Sequence, residues 1–261
     1  MYNEIIERFV RAQEAACAAY RSAASFEREC LAGIPGNSHT VEIRSEYGTA
    51  RELESFCSSL AGNVVNRARR EFAPAGTRLD IDDTKEHEHA GLDIGKALKA
   101  GKIPDIDGLW ASLHDRYGGS GGKELAYQQA AQRIIKGFWL NRRNEVQRTA
   151  SAVILRMRVT SEGCYGRSCR KVGYYSCQTA ADCLQGLTAF AAKAGHSSLA
   201  SGLSRINVHN IEYNYREKQS HPGLDIVFFK DGWEFKFSHQ VAEALMLFIG
   251  EFGAAFMEET A

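Results

Sequence analysis

The chain has 261 residues, and its 32 basic and 32 acidic side chains leave no formal net charge. This length allows one large domain or two smaller ones, with a hydrophobic core that needs no disulfide or metal to stabilise it. The zero net charge excludes a global attraction to nucleic acid or acidic ligands. Its apolar runs are too short for a membrane span, and its first twenty residues mix both charges, so we expect a soluble protein without a targeting segment.

Two helices are predicted at the start of the chain. An apolar stripe beginning at Ile5 continues at helical spacing to about Cys30, and glycine and proline residues within 33–36 break it. A capping box at Thr49–Glu52 predicts the start of a second helix, which ends near Phe72. We expect these two helices to pack as an antiparallel pair.

The segment Pro74–Gly91 is polar, turn-rich and dense in charge, which predicts a domain boundary or a mobile loop. We therefore divide the chain into a helical N-terminal region, 1–78, and an α+β domain, 79–261. Within the segment, His87 and His89 alternate with glutamates. A solvated charge run is favoured over a metal site there, because no further ligand is in view.

Shorter elements are predicted beyond this segment. We expect a helix capped by Asp107 that ends at Gly118, and a flexible glycine linker that follows it. Apolar periodicity predicts two further helices and two strands. A short helix, Leu92–Ala100, precedes them. The two further helices are Glu124–Leu140 and Ala180–Lys193, and the strands are Val153–Val159 and Asn207–Tyr215.

The C-terminal part predicts a β-hairpin followed by a helix. Two β-rich runs, Leu224–Phe229 and Trp233–Ser238, flank Asp231-Gly232, a dipeptide that suits a tight turn and would set Lys230 opposite Trp233. In this register one face is apolar and the other polar. Ser238 is placed to cap the helix. The apolar face is Ile226, Phe228, Trp233, Phe235 and Phe237; the other is Asp225, Val227, Phe229, Glu234 and Lys236; the helix stripe is Val241, Leu245, Phe248, Phe252 and Phe256. The predicted class is α+β, a helical N-terminal part followed by a small antiparallel sheet packed against helices.

Seven cysteines without a secretion signal predict free thiols in a reducing compartment. The last four are clustered, at spacings of four, seven and five residues, whereas structural zinc sites have tighter CxxC-type pairs. We therefore favour ordinary thiols and predict no metal and no cofactor, with zinc as the alternative. The cysteines are Cys17, Cys30 and Cys57 and the clustered Cys164, Cys169, Cys177 and Cys183.

The strongest charge asymmetry is a basic stretch from Arg133 to Lys171, where only two acidic residues occur among the cations. Clustered guanidinium groups bind phosphate and carboxylate alike, so this stretch is a candidate surface for nucleic acid or for an acidic protein partner. The alternative is that acidic residues elsewhere, such as those of Asp80–Glu88, neutralise it. The candidate binding residues are Arg133, Arg142, Arg143, Arg148, Arg156, Arg158, Arg167 and Arg170.

Asp225, Glu234 and Lys236 share the polar face of the hairpin. Their arrangement is similar to that of metal-dependent nucleases, in which carboxylates hold magnesium and the lysine positions a water. A cross-strand Glu/Lys pair on a solvated face explains the same residues without chemistry. Because no nucleophile elbow and no phosphate-binding loop is present, we expect a non-enzymatic protein with no catalytic residues, and hold the nuclease as a minor alternative.

About two-thirds of the chain, from Leu92 onward, resembles an uncharacterised bacterial family of unknown function, carried on plasmids and prophages and found near DNA methyltransferases. The resemblance rests on GKIPDI at Gly101–Ile106, LWASLHDRYG at Leu109–Gly118, the helix Glu124–Leu140 and the strand-turn-strand Asp225–Phe237. In the turn, Asp231 replaces the usual asparagine, and the cysteine-bearing loop departs from the family.

This resemblance implies a mobile-element anti-defence protein in the cytoplasm of a bacterial host. It favours a large anti-CRISPR inhibitor that blocks a type I CRISPR effector by binding its subunits. The alternative function is a nucleic-acid-binding accessory protein that uses the basic stretch between Arg133 and Lys171. No catalytic residue comes with the resemblance, and the oligomeric state stays open.

Overall fold

The computed structural model describes residues 1–32, 34, 40–142, 146–165 and 168–258. They form ten helices and two small antiparallel sheets, which confirms the predicted α+β class. The helices are α1 (Tyr2–Leu31), α2 (Glu46–Glu71), α3 (Asp83–His89), α4 (Ile94–Lys99), α5 (Ile106–Tyr117), α6 (Gly121–Phe138), α7 (Tyr174–Lys193), α8 (Ser197–Ser204), α9 (His239–Phe252) and α10 (Ala254–Glu258). The strands are β1 (Gln147–Arg148), β2 (Val153–Arg158), β3 (Ser161–Gly163), β4 (Arg170–Val172), β5 (Glu212–Tyr213), β6 (Lys218–His221), β7 (Leu224–Phe228) and β8 (Gly232–Phe237).

The chain folds into two compact units. Unit 1 comprises Met1–Glu71 and Ile81–Gly118, and unit 2 comprises Phe72–Asp80 and Gly119–Ala261. This grouping differs from the regions 1–78 and 79–261 drawn from the sequence, because α4 and α5 pack against α2. The domain division at residue 78 stays a prediction.

Unit 1 is built on the antiparallel pair of α1 and α2. The rings of Phe9 and Phe56 stack with their centroids 4.1 Å apart, and Arg67 near the end of α2 donates a 2.8 Å hydrogen bond to the Tyr2 hydroxyl. The second helix begins before the expected capping box: the Gly48 amide donates to Ser45 Oγ at 3.0 Å. The predicted start at Thr49 is therefore wrong. The break predicted at 33–36 lies largely outside the described residues.

The segment Pro74–Gly91 was predicted as a domain boundary or a mobile loop, and the loop alternative is wrong for Asp83–His89, which forms helix α3. Asp82 caps this helix, accepting from the amides of Thr84 and Lys85. Glu86 in α3 is only 2 % exposed. Its carboxylate accepts a 2.7 Å hydrogen bond from the Tyr117 hydroxyl of α5, so it is a buried anchor and not part of a solvated run.

The N-terminal cap of α5 lies two residues earlier in the sequence than predicted. Asp105 accepts from the Gly108 amide at 2.9 Å, whereas Asp107 lies inside the helix. The Asp107 carboxylate instead accepts from the amides of Tyr2 and Asn3 in the first turn of α1. Asp107 thus stabilises the start of another helix, where a carboxylate also favours the helix dipole.

Unit 2 is built on a five-stranded antiparallel sheet in the order β1-β2-β8-β7-β6. Alternate residues of β2, β7 and β8 point into the core, and α6 and α9 pack on that side of the sheet. The ring of Phe138 in α6 makes an edge-to-face contact with Phe235 of β8, with the ring centroids 5.1 Å apart. A second sheet, in the order β3-β4-β5, is much smaller. Among the described residues, no helix is both long and apolar enough to traverse a bilayer.

The hairpin of β7 and β8 has the predicted faces but another register. Phe228 pairs with Trp233, and Phe229 donates to the Gly232 carbonyl at 2.9 Å, so Lys230 and Asp231 form the turn. The predicted Asp231-Gly232 turn, with Lys230 opposite Trp233, is wrong. The apolar and polar faces are nevertheless as predicted, because the predicted and observed registers differ by an even number of residues. The helix α9 follows as expected, with the Ser238 hydroxyl accepting from the Val241 amide at 3.4 Å.

Several other elements differ in extent from their predictions. Helix α6 begins within the glycines that were expected to form a linker, and α7 begins at Tyr174 instead of Ala180. The predicted strand Asn207–Tyr215 is reduced to β5, while α8 and β6 were not expected. The strand Val153–Val159 is confirmed as β2, apart from its last residue.

Candidate functional site

Two concave regions of unit 2, of about 1010 Å³ and 550 Å³, meet at Arg158 and Asp231. We call their cationic and aromatic lining the basic groove. Among the described residues, five cations and a single carboxylate line the two regions. The basic groove comprises Trp139, Arg142, Arg156, Arg158, Arg170, Tyr215, Lys230 and Asp231.

Trp139 lies at one end of the basic groove, where it ends α6 in the left-handed conformation, with φ of 57°. The residue is 42 % exposed, which is unusual for a tryptophan. The guanidinium carbons of Arg142 and Arg158 lie 5.2 Å and 6.0 Å from the ring centroid. These cation–π contacts hold two cations beside an open aromatic face.

Arg170 is fixed in place by β3. Its Nε donates to Ser161 Oγ at 2.7 Å, and its Nη2 donates to the Ser161 carbonyl at 2.9 Å. Ser161 Oγ in turn donates to the carbonyl of Lys230 in the turn of the β7–β8 hairpin. This chain of hydrogen bonds ties the small sheet to the hairpin and presets the position of one guanidinium group.

The N-terminus of α7 also reaches the basic groove. Ser176 in its first turn lines the larger concave region, and the Ser176 hydroxyl accepts from the Thr160 amide at 3.0 Å. No acidic residue lies in that first turn. The positive end of the helix dipole therefore adds to the field of the arginines.

One ion pair crosses the basic groove. Arg156 Nη2 lies 3.1 Å from Asp231 Oδ1, and both side chains are exposed. Within the part of the chain that the structure describes, Arg142, Arg158 and Lys230 have no carboxylate within ion-pair distance. These three cations are available to an anionic ligand.

The structure brings together four of the eight arginines predicted from the sequence: Arg142, Arg156, Arg158 and Arg170. Arg133 lies elsewhere, with a side chain that is 12 % exposed and paired with Asp80, as neutralisation by an acidic segment predicts. Arg148 lies on β1 beside a separate apolar cavity. Arg143 and Arg167 are outside the described residues.

Sequence reasoning missed Trp139, Tyr215 and Lys230 in this site. Lys230 lies fifty-nine residues beyond the basic stretch, and the pairing of β2 with β8 brings it close. Trp139 directly follows the apolar residues of a predicted helix, and nothing in the sequence indicated that its side chain would be exposed. The one sequence feature that could have indicated part of this site was the position of Lys230 beside the predicted hairpin turn.

Asp225, Glu234 and Lys236 do lie on one face of the hairpin, with Asp225 directly opposite Lys236. However, Lys218 Nζ lies 2.8 Å from Asp225 and lowers the pKa of that carboxyl, and Lys236 Nζ lies 3.9 Å from Glu234. Neither carboxylate belongs to a convergent group of three metal-ligating side chains among the described residues. The nuclease stays a prediction.

The four clustered cysteines separate into two places. Cys177 and Cys183 lie in α7, and burial raises the pKa of the Cys183 thiol. Cys164 and Cys169 flank the loop between β3 and β4, where a hydrogen bond with the Cys164 thiol raises the pKa of Cys169 to about 11. The ligand atoms of these two thiols and of Glu212 in β5 all lie within 4.8 Å of one another.

Comparison of the chain with protein-family models, curated proteins and solved structures finds no match in any of the three. The geometry alone describes the site: a concave, cationic and partly aromatic surface that suits a polyanion.

Proposed function

We propose that this chain is a non-enzymatic nucleic-acid-binding protein that holds a single strand in the basic groove. The observation that carries the proposal is the convergence of Arg142, Arg158 and Lys230, cations without a carboxylate partner among the described residues, around one concave surface. The chain as a whole is neutral, so its affinity for phosphates depends on this local cluster.

The geometry of the cations favours phosphate as the ligand. Arg170 is held by two hydrogen bonds to Ser161, so little side-chain entropy is lost when it meets an anion. Guanidinium groups match the oxygens of a phosphate with two parallel hydrogen bonds. A row of such groups follows a phosphate backbone without reading its sequence.

The aromatic residues favour a single strand over a duplex. Trp139 and Tyr215 are both exposed and lie in or beside the concave surface. Unpaired bases stack on exposed aromatic rings, a contact worth about 1–3 kcal/mol per base, whereas paired bases do not offer their faces. The combination of arginines and exposed rings is typical of proteins that bind single strands.

Fluorescence anisotropy with a labelled single-stranded oligonucleotide of mixed sequence tests the proposal. Affinity should fall linearly on a log–log plot against salt, with a slope of about 0.7 for each phosphate contact. A duplex of the same sequence should bind more weakly. The absence of binding at low salt would contradict the proposal, and so would a salt-independent affinity.

A second candidate is the anti-defence role, with a subunit of a type I CRISPR effector as the partner. The observation in its favour is the pair Tyr174 and Tyr175, which directly precede Ser176 of the larger concave region. They are 82 % and 92 % exposed, with their rings in edge-to-face contact. Tyrosine and arginine are enriched in the central parts of protein interfaces. Such a surface can dock on an acidic protein face.

Size-exclusion chromatography of the chain mixed with purified effector subunits tests this second candidate. A stable complex is expected. Replacement of both Tyr174 and Tyr175 by alanine should prevent its formation but leave oligonucleotide binding unchanged. Failure to co-elute with effector subunits would count against the anti-CRISPR role.

A further inference from the structure

We propose that Cys164, Cys169 and Glu212 form a binding site for a zinc ion in the small sheet of unit 2. This inference is independent of the basic groove and of the proposed function. Among the described residues, these three form the only group of metal-ligating side chains whose ligand atoms converge, all within 4.8 Å of one another.

The backbone positions the two cysteines as a pair. Cys164 directly follows β3 and Cys169 directly precedes β4, and the Cys164 amide donates to the Cys169 carbonyl at 3.0 Å. Four residues separate them, which is the upper end of the spacing found between paired zinc cysteines. The β-ladder therefore brings the two thiols to the same end of the hairpin.

The third ligand comes from a distant part of the chain. Glu212 lies on β5, directly opposite Lys171 of β4. Its Oε2 is 3.7 Å from Cys169 Sγ. Two ligands of a tetrahedral zinc ion, at about 2.3 Å for sulfur and about 2.1 Å for oxygen, lie about 3.6 Å apart. The separation already present needs little adjustment to accept the ion.

The ligand chemistry identifies zinc. Thiolates favour zinc over magnesium or calcium, and zinc also accepts a carboxylate oxygen. Three protein ligands leave one coordination position for water or a ligand from outside. The three strands of this sheet have only three, three and two residues. An ion that links Glu212 of β5 to the two ends of the β3–β4 loop would supply stability that so small a sheet cannot gain from packing.

Zinc titration of the full chain, reduced and freed of metal with a chelator, tests the site. One zinc per chain is expected by calorimetry, and cobalt in place of zinc should give the near-ultraviolet charge-transfer band of cobalt thiolates. Cys164→Ser and Cys169→Ser should lose the tight site and the band. Glu212→Gln should keep the band and bind zinc more weakly.

Cys177→Ser is the matched control, since Cys177 belongs to the same sequence cluster but lies in α7, with its thiol donating to the Val172 carbonyl. It should bind zinc as the unaltered chain does. Circular dichroism confirms that each variant folds, and zinc should raise the melting temperature only where the site is intact.

Three results would overturn the proposal. The first is the absence of zinc binding by the reduced chain. The second is binding that persists in Cys164→Ser. The third is equal binding by Glu212→Gln and the unaltered chain, which would remove Glu212 as a ligand.

Discussion

Arg156 Nη2 and Asp231 Oδ1 lie 3.1 Å apart, and this ion pair joins strand β2 to the turn between β7 and β8. Both side chains are exposed, so the pair contributes little to stability. Its position matters more, because Asp231 is the one carboxylate that lines the basic groove within the described residues. Asp231 therefore opposes the approach of an anion.

Replacement of this carboxylate should strengthen the binding of nucleic acid. In Asp231→Asn the turn keeps a residue suited to it, while Arg156 becomes free to contact a phosphate. We expect a higher affinity for a single-stranded oligonucleotide and a slope against salt steeper by about 0.7, measured by anisotropy. Asp182→Asn is the control, because Asp182 lies in α7 and lines neither concave region. Weaker binding by Asp231→Asn would contradict the assignment of the groove.

The buried pair of Glu86 and Tyr117 should stabilise unit 1. The Tyr117 hydroxyl donates a 2.7 Å hydrogen bond to a carboxylate that also accepts from Arg116. Hydrogen bonds to charged groups contribute about 1.5–3 kcal/mol, and Tyr117→Phe removes this one while keeping the ring. Urea denaturation should show a loss of this size. An unchanged denaturation midpoint would mean that the bond contributes nothing.

The same tyrosine predicts a loss of stability at alkaline pH. Burial, followed by the hydrogen bond to Glu86, raises the pKa of Tyr117 to about 12, whereas an unfolded tyrosine has a pKa of about 10. The stabilisation is fully present below the unfolded pKa and is lost as pH rises through the folded pKa, because the unfolded state gives up its proton first. The unfolding free energy of the unaltered chain should therefore fall more steeply than that of Tyr117→Phe between these two values.

The crossing of α6 and α7 predicts the outcome of a glycine substitution. A Cβ added at Gly137 would lie 2.5 Å from both Cβ and Sγ of the buried Cys183. Overpacking of this kind costs about 1–3 kcal/mol, which outweighs the gain in helix propensity. Gly137→Ala should lower the melting temperature, and a second change, Cys183→Gly, should restore part of the loss.

Gly62 in α2 is the control for this experiment, because a Cβ there would meet nothing within 4 Å. Gly62→Ala should stabilise the chain by up to about 1 kcal/mol through helix propensity. Destabilisation by both substitutions to the same extent would show that the contact with Cys183 is not the cause.

The sequence predicts elements well where the determinants are local. The faces of the β7–β8 hairpin follow from the alternation of Ile226, Phe228, Trp233 and Phe235, a period that a strand imposes on its own. Its turn was misplaced because Gly232 is required by another strand: a Cβ there would come within 2.9 Å of the Met157 carbonyl in β2. That approach depends on the pairing of Gly232 with Arg158, a residue seventy-four positions earlier in the chain.

The candidate sites were predictable only in part, for the same reason. The arginines of β2 were visible as a basic run, but Lys230 and Trp139 join them through tertiary structure. Similarly, Cys164 and Cys169 are paired by a local hairpin, whereas Glu212 is supplied by a strand more than forty residues later. Glu86 was expected in solvent because its partners, Arg116 and Tyr117, are thirty residues away.

The most direct test of the basic groove compares Arg158→Gln with Arg205→Gln in the salt dependence of binding to one single-stranded oligonucleotide. Arg158 lies where the two concave regions meet, whereas Arg205 is an exposed arginine that lines neither. We predict that Arg158→Gln lowers the affinity and reduces the salt slope by about 0.7, the value of one lost phosphate contact, and that Arg205→Gln changes neither. An unchanged slope in Arg158→Gln, or an equal loss in both variants, would contradict the assignment of the basic groove as the nucleic-acid-binding site.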